Sequence, residues 1–558
     1  MSEMNMNRGS LVIGVDYGTD SCRALLVDAD TGKELAVSTS LYKRWNSGLY
    51  CDPDRSQYRH HPLDYIESLS EAILALLQQI PADRIKRIRA IGIDATASTV
   101  TLTDRNGIPL ALQSGFAENP DAMFLLWKDH TALAEAEEIN RLAHGWATDY
   151  TSFSGGNYSL EWFWAKALHL LRRDPAIREE AYGIIELCDW LPALLTGSQK
   201  PEEVRRSRCA AGHKCLWAEQ WGGYPSHDFL EKLDPQLALI GDRLPADTFT
   251  NDTAAGQISQ EWAFALGLPE DLIVSVGVVD AHSAAIGAGI KPGTMVKILG
   301  TSTCDIVVVP VHVMGDRLIP GISGQVHGSV LPEMIGVEAG QSAFGDVYAW
   351  YKKLLGWVLD QFEDDPERRR ACMDRIIVAL SEEAAEIPYD HSGLVSLDWL
   401  NGRRNPDPAP DKKGVISGLT LATTAPEIFK SLVEATAFGS KAIFEHYKQH
   451  GLQIEEIVSV GGISQKSAFV MQILTDVLGV PVKVANTEQA GALGAAMCAA
   501  AAAELFPSLA IAQEKMRCGV SREYFPDEER HHYYNRLFRE YLRLGACQDG
   551  ASSFFPQL

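Results

Sequence analysis

The segment that most constrains this chain is Leu11 to Val27, LVIGVDYGTDSCRALLV. An apolar run enters a small polar turn at Asp16 to Ser21, and a second apolar run, Ala24 to Val27, leaves it. That pattern predicts a β-hairpin with a tight turn. Small residues let a phosphate approach the backbone, where successive N–H groups can cradle its oxygens. Asp16 adds a carboxylate that suits Mg²⁺ held through water. An ordinary hairpin would show the same residues, but the pattern recurs. Val296 to Val309 reads VKILGTSTCDIVVV, and Gly18-Thr19-x-Ser21-Cys22 finds its counterpart in Gly300-Thr301-x-Thr303-Cys304. A repeat of this kind predicts two related halves, each offering one phosphate-type hairpin toward a shared cleft.

Length and charge narrow the class. At 558 residues the chain has material for two or more domains. A net charge of −23 argues against nucleic acid or an anionic membrane as partner, since both need a basic face. Ten cysteines without a CxxC pair read as reduced thiols, and MSEMNMNRGS has no apolar leader core, so a cytoplasmic protein is expected. Ala490 to Leu505 is too short and too rich in Ala and Gly for a membrane span, and reads as a buried helix.

Taken in order, Glu34 to Tyr42 predicts a strand and Pro62 to Ile80 an amphipathic helix. Ile88 to Ile93 predicts a strand that runs into Asp94-Ala95-Thr96-Ala97-Ser98-Thr99, either a ligand loop or a plain connection. Trp127 is either a sugar-facing wall or a core residue. The stretch from Pro201 to His227 carries few helix or strand signals. His213 with Cys209 and Cys215 does not match zinc spacing. Lys214 is a candidate donor to a substrate oxygen, or a surface lysine. Leu272 to Val279 predicts one nearly continuous strand ending at Asp280. A carboxylate there is costly unless it is paired or working, which favours a functional Asp280.

Gly289 to Gly293 predicts a hinge, giving domains 1–288 and 289–548 and a tail 549–558. Gly336 to Asp346, GVEAGQSAFGD, predicts a loop with Glu338 as a hydroxyl ligand or a solvated acid. Pro426 to His446 predicts a long helix. Ile457 to Val460 then runs into Gly461-Gly462, a turn that suits adenine and ribose. Lys466 does not make this a P-loop, because Gln465 precedes it and the required first glycine would fall at Val460.

These residues together resemble the FGGY carbohydrate kinases, of the larger group that includes actin, hexokinase and the Hsp70 ATPase. Asp16 to Ser21 resembles the first phosphate loop of that family and Gly300-Thr301-Ser302 the second. Gly461-Gly462 with Asp476 to Val482 resembles the adenosine segment, and Asp280 in VGVVDAHSAAIGAG falls where the family carries its catalytic base. The resemblance covers about Leu11 to Tyr541. It implies an α/β chain of two ribonuclease H-like domains with a cleft between them that closes over the substrates. It also implies ATP and Mg²⁺, with Asp16 at the metal and Gly18, Thr19, Ser21, Gly300, Thr301, Gly461 and Gly462 at the nucleotide.

Within the family, Trp127 to Ala132, the AGHK segment and GVEAGQSAFGD are most similar to the ketopentose branch. This implies that Ala97, Lys214, Asp280 and Glu338 line a site for L-ribulose, phosphorylated at the C5 hydroxyl in arabinose catabolism, in a possible homodimer. A kinase of D-ribulose, xylulose or a polyol would share every ATP feature. A chaperone or filament ATPase on the same core would not need sugar-kinase segments in both halves.

Overall fold

A computed structural model describes residues 9–391 and 393–548. The leader reading of residues 1–8 and the tail 549–558 lie outside the described residues. The chain forms two units, one comprising residues to Pro292, Val308–Val337 and Gln489–Cys518, the other Gly293–Val307, Glu338–Glu488 and the residues from Gly519 on.

The first unit is built on the predicted hairpin. Strands β1 (Leu11–Tyr17) and β2 (Ser21–Asp28) pair antiparallel, with Leu11 opposite Asp28 and Tyr17 opposite Cys22. β3 (Glu34–Leu41) extends the sheet on β2, and β4 (Ile88–Ala95) lies parallel to β1 on its other side. β5 (Ala254–Gln257) and β6 (Ile273–Ser275) continue the order, and β7 (Val278–Val279) also pairs with β4. β1 and β4 read as near-continuous apolar runs because both of their faces are covered.

The predicted strand from Leu272 to Val279 is instead two short strands. A Cβ on Gly277 would fall 1.8 Å from the Cys188 carbonyl oxygen. The Leu187–Thr196 helix crosses there against bare backbone, and the ladder breaks. A separate apolar core between Val100 and Leu244, with Phe163, Trp164 and Leu168 at its centre, fills an inserted lobe of the same unit.

A second sheet repeats the plan. β8 (Thr294–Leu299) and β9 (Thr303–Pro310) form the second predicted hairpin, with Leu299 opposite Thr303. β10 (Met334–Ala339) neighbours β9, and β11 (Glu456–Val460) runs parallel to β8. β12 (Val482–Ala485) and β13 (Val520–Tyr524) extend the sheet beyond β11, and the short strand Gly324–His327 lies at its other edge beside β10. The order β3–β2–β1–β4 in one sheet is therefore matched by β10–β9–β8–β11 in the other, so the sequence repeat is a repeat of topology.

The helix Ala490–Ala502 is buried along almost its whole length, as its composition predicts, and packs on β1 and β4. It approaches closely enough that backbone meets backbone. A Cβ on Gly14 would sit 1.7 Å from the Ala492 carbonyl oxygen, and one on Gly92 would sit 2.0 Å from that of Ala495. Glycine in the two strands and alanine in the helix are required together. Among the described residues no helix is long and apolar enough to cross a membrane, and all ten cysteines are free thiols.

This packing yields a prediction. Gly92→Ala forces the helix off the sheet and costs about 3 kcal/mol or more, the upper end for overpacking. Urea unfolding followed by tryptophan fluorescence should show the first transition at clearly lower denaturant. An unchanged midpoint would contradict the close approach.

Candidate active site

Strand register assembles the acidic centre of the first unit. Asp16 is the penultimate residue of β1 and pairs with Asp94 near the end of the parallel strand β4. On the other side of β4, Val278 pairs with Asp94 and Val279 with Ala95, so Asp280 emerges at the same end. Three aspartates thus stand at the carboxyl ends of three neighbouring strands, where open α/β sheets bind ligands. Asp280 is the first residue of the Asp280–Gly287 helix, and its Oδ1 accepts the Ala281 N–H at 2.7 Å.

The three carboxylates do not share one environment. Asp16 is partly exposed and forms an ion pair with Arg23 at 3.0 Å. Arg23 is itself well exposed, so the pair contributes only about 0.2–1 kcal/mol and a stronger partner can replace it. Asp94 is fully buried, and neither of its carboxylate oxygens has a hydrogen-bond partner. Burial, then the neighbouring carboxylates Asp16 and Asp280, push Asp94 well above the usual carboxylate range. A Cβ on Gly491 would come within 3.3 Å of the Asp16 carboxyl carbon and 3.4 Å of both Asp94 oxygens. The first turn of the Ala490–Ala502 helix therefore faces these groups, and its dipole favours negative charge there. Unsatisfied hard oxygens beside Asp16 fit a divalent cation such as Mg²⁺.

The β1–β2 turn is short and tied down. The Gly18 N–H donates to the Ser21 carbonyl at 3.0 Å, so that donor is already used within the turn. Ser21 itself is buried at the start of β2. Trp127 is half-buried and donates from Nε1 to Thr19 Oγ1 at 3.0 Å, which leaves the threonine O–H free to turn toward a ligand. Trp127 thus steadies the phosphate-type loop, a role its sequence context did not suggest.

Ala97 lies half-buried in the loop after β4. Lys214 ends the Arg208–Lys214 helix, in the stretch expected to lack regular structure. The lysine is 5% exposed, which rules out the surface reading. Its ammonium lies over the Trp162 ring, 5.1 Å from the centroid, and its carbonyl accepts the Tyr158 O–H at 2.6 Å. Cys209 faces Asn251 and Val330 and Cys215 is buried in the inserted lobe's core, so the flanking thiols of this helix are packing groups.

In the second unit, the β8–β9 turn has the same three-residue length as its counterpart. The Gly300 N–H donates to Ser302, and the Gly300 and Thr301 carbonyls accept N–H groups of Gly345, Phe344 and Asp346. The second loop is thereby fixed to the start of the Gly345–Phe362 helix. Gly461 has φ +102°, and a Cβ there would sit 2.4 Å from the Leu299 carbonyl oxygen, so the β11 turn reaches the end of β8 only as glycine. A Cβ on Gly462 would meet nothing within 4 Å, which leaves open space at the first residue of its helix.

Glu338 is on β10, not within the expected loop, and is buried. The glycines that suggested a loop begin its exit at Gly340, where a Cβ would meet the Thr303 carbonyl at 2.1 Å. Asp476 accepts the Asp527 N–H and the Gln472 amide, so it anchors the start of the last helix.

From the sequence Asp94 is expected only at the head of a ligand loop or plain connection, although it follows the apolar run of IGID just as Asp280 follows VGVV. Arg23 escaped the reading of the sequence, and it stands directly opposite Asp16 once the hairpin register is drawn.

The comparisons with known proteins agree over the whole chain. Residues 11–287 match the N-terminal domain of the FGGY family of carbohydrate kinases, and residues 295–503 match its C-terminal domain. A protein named ribulokinase from Vibrio parahaemolyticus is 44% identical over 97% of this chain and 97% of its own length. Another ribulokinase, from Shouchella clausii, is 36% identical over 95% and 94%. Among solved structures, a xylulose kinase from Rhodospirillum rubrum superposes with a TM-score of 0.76 at 21% identity, covering 97% of this chain and 99% of that one. A glycerol kinase from Plasmodium falciparum gives 0.74 at 17%, covering 96% and 98%. The repeated phosphate-type hairpins, the strand-end aspartates and these matches lead to one conclusion: the chain belongs to the FGGY family of ATP-dependent carbohydrate kinases, with the two-domain fold of the actin and hexokinase group.

Proposed function

We propose that this kinase transfers the γ-phosphoryl group of ATP to the C5 hydroxyl of L-ribulose. The observation that carries the reading is Asp280, placed by β7 at the same strand ends as Asp16 and Asp94, in a chain 44% identical to a ribulokinase over nearly its full length.

Asp280 accepts a hydrogen bond from the sugar hydroxyl and takes its proton as the oxygen–phosphorus bond forms. The bond from phosphorus to the β-phosphate oxygen breaks, and ADP leaves. Phosphoryl transfer asks mainly for position and charge stabilisation. Thr19 serves the phosphoryl end through its hydroxyl, in a turn closed by the Gly18–Ser21 bond. Thr301 holds phosphate oxygens in the turn closed by Gly300, and the open turn at Gly461 and Gly462 receives the adenosine. Lys214, held over Trp162, donates to sugar oxygens, Ala97 lines the sugar, and Glu338 accepts from its hydroxyls. Asp16 and Asp94 would hold Mg²⁺, which neutralises phosphate charge when bound. Arg23 keeps Asp16 oriented in the free protein.

Asp280→Asn should lower kcat by about 10² to 10⁴ while the sugar still binds, because only the proton acceptor is removed. Steady-state kinetics beside calorimetric titration with L-ribulose checks this, and near-normal turnover would remove Asp280 from the role.

Asp94→Asn removes a buried, unsatisfied carboxylate. The metal-free protein should melt no lower than the unaltered one. Its affinity for Mn²⁺ with ADP, read by electron paramagnetic resonance, should fall about tenfold. A lower melting point with unchanged Mn²⁺ affinity would make Asp94 a packing residue.

The acceptor is tested by ADP release with Mg-ATP against L-ribulose, D-ribulose, L-xylulose, D-xylulose, ribitol and glycerol. L-Ribulose should give the highest kcat/KM. Turnover confined to another polyol would keep the kinase chemistry and overturn the pocket assignment.

A further inference from the structure

Beneath the loop that carries Ala97 lies a buried cation that none of the roles above uses. Lys166, on the Phe163–Arg173 helix, is 0% exposed. Its ammonium donates to the Ser98 carbonyl at 2.6 Å and to the Leu126 carbonyl at 2.8 Å. Ser98 follows Ala97, and Leu126 precedes Trp127, whose indole holds Thr19. One ammonium therefore ties the sugar loop to the segment that steadies the first phosphate loop.

The compensating carboxylate is Glu186, at the end of the Gly183–Glu186 strand. It accepts the Ser98 O–H at 2.8 Å, while its second oxygen is buried without a partner. The same loop is pinned again where the Leu187 N–H donates to the Thr99 carbonyl at 2.8 Å and Thr96 meets Thr99, hydroxyl to hydroxyl, at 2.8 Å. Burial lowers the proton affinity of Lys166 and raises that of Glu186, and the charge of each works against the shift of the other. Burying an ammonium is costly, and apolar packing alone would fill this space more cheaply. What the charge adds is direction: two carbonyls from separate segments converge on one donor.

We propose that Lys166 is a positioning residue for the acceptor-sugar site, with Glu186 as its buried partner: Lys166 fixes the Thr96–Thr99 loop against Trp127 so that the loop is formed before sugar arrives. Neither group touches the substrate. The inference rests on the reading of Ala97 as a sugar-site residue.

The test compares Lys166→Met and the double variant Lys166→Met/Glu186→Gln with the unaltered enzyme. The double variant leaves no unpaired buried charge and keeps a group that can bond Ser98, so it is expected to fold where the single variant fails. KM for L-ribulose should rise about tenfold or more in both, with KM for Mg-ATP within about twofold of normal. Glu186→Gln alone, which leaves the Lys166 bonds in place, should change the sugar KM by less than about threefold. A folded double variant with normal sugar KM, or with both KM values raised together, would overturn the proposal. If the unaltered enzyme turns over a different acceptor and not L-ribulose, the substrate reading fails. The same KM comparison, made with the acceptor used, then decides the role of Lys166.

Discussion

Three carboxylates at the ends of β1, β4 and β7 are the constraint around which the first unit is arranged. Like charges in a buried place repel, and the fold tolerates them through three different accommodations. Asp16 leans outward onto Arg23. Asp94 stays buried with its oxygens unmatched and its affinity for a proton raised. Asp280 sits in the first turn of a helix and accepts that turn's own N–H. The helix that covers the site brings its positive end toward Asp16 and Asp94, and can come that close only because Gly14, Gly92 and Gly491 offer no side chain. Close packing and the placing of these charges are thus one arrangement.

The second sheet uses the same strand order. Among the described residues it carries no comparable acidic trio at the turn. Instead the β8–β9 loop is bonded to a helix start, and the neighbouring β11 turn is glycine on glycine. On the proposed reading, one architecture bears proton transfer in one copy and nucleotide recognition in the other, the difference lying in a few residues at the strand ends.

Much of this was legible in the residues. Both hairpins, the buried Ala-rich helix and the strand-end position of Asp280 follow from local pattern, because apolar runs and small polar turns report backbone geometry directly. The failures have a common cause. The Leu272–Val279 strand breaks because a distant helix needs the space at Gly277, and Glu338 is on a strand because β9 supplies the pairing. The Arg208–Lys214 helix is short and polar in sequence, yet buried by the lobe around it. Each is decided by a partner far along the chain, which periodicity does not encode. Lys166 belongs to the same class: a lysine in an amphipathic helix reads as solvated until two backbone carbonyls are brought to it.

The central claim is that Asp280 directs phosphoryl transfer to one hydroxyl of one ketopentose. Carbon-13 and phosphorus-31 NMR of the product formed from L-ribulose and Mg-ATP tests it most directly. The account predicts a single sugar phosphate with phosphorus coupling at C5. Coupling at another carbon, or ADP accumulating with no sugar phosphate, would contradict it.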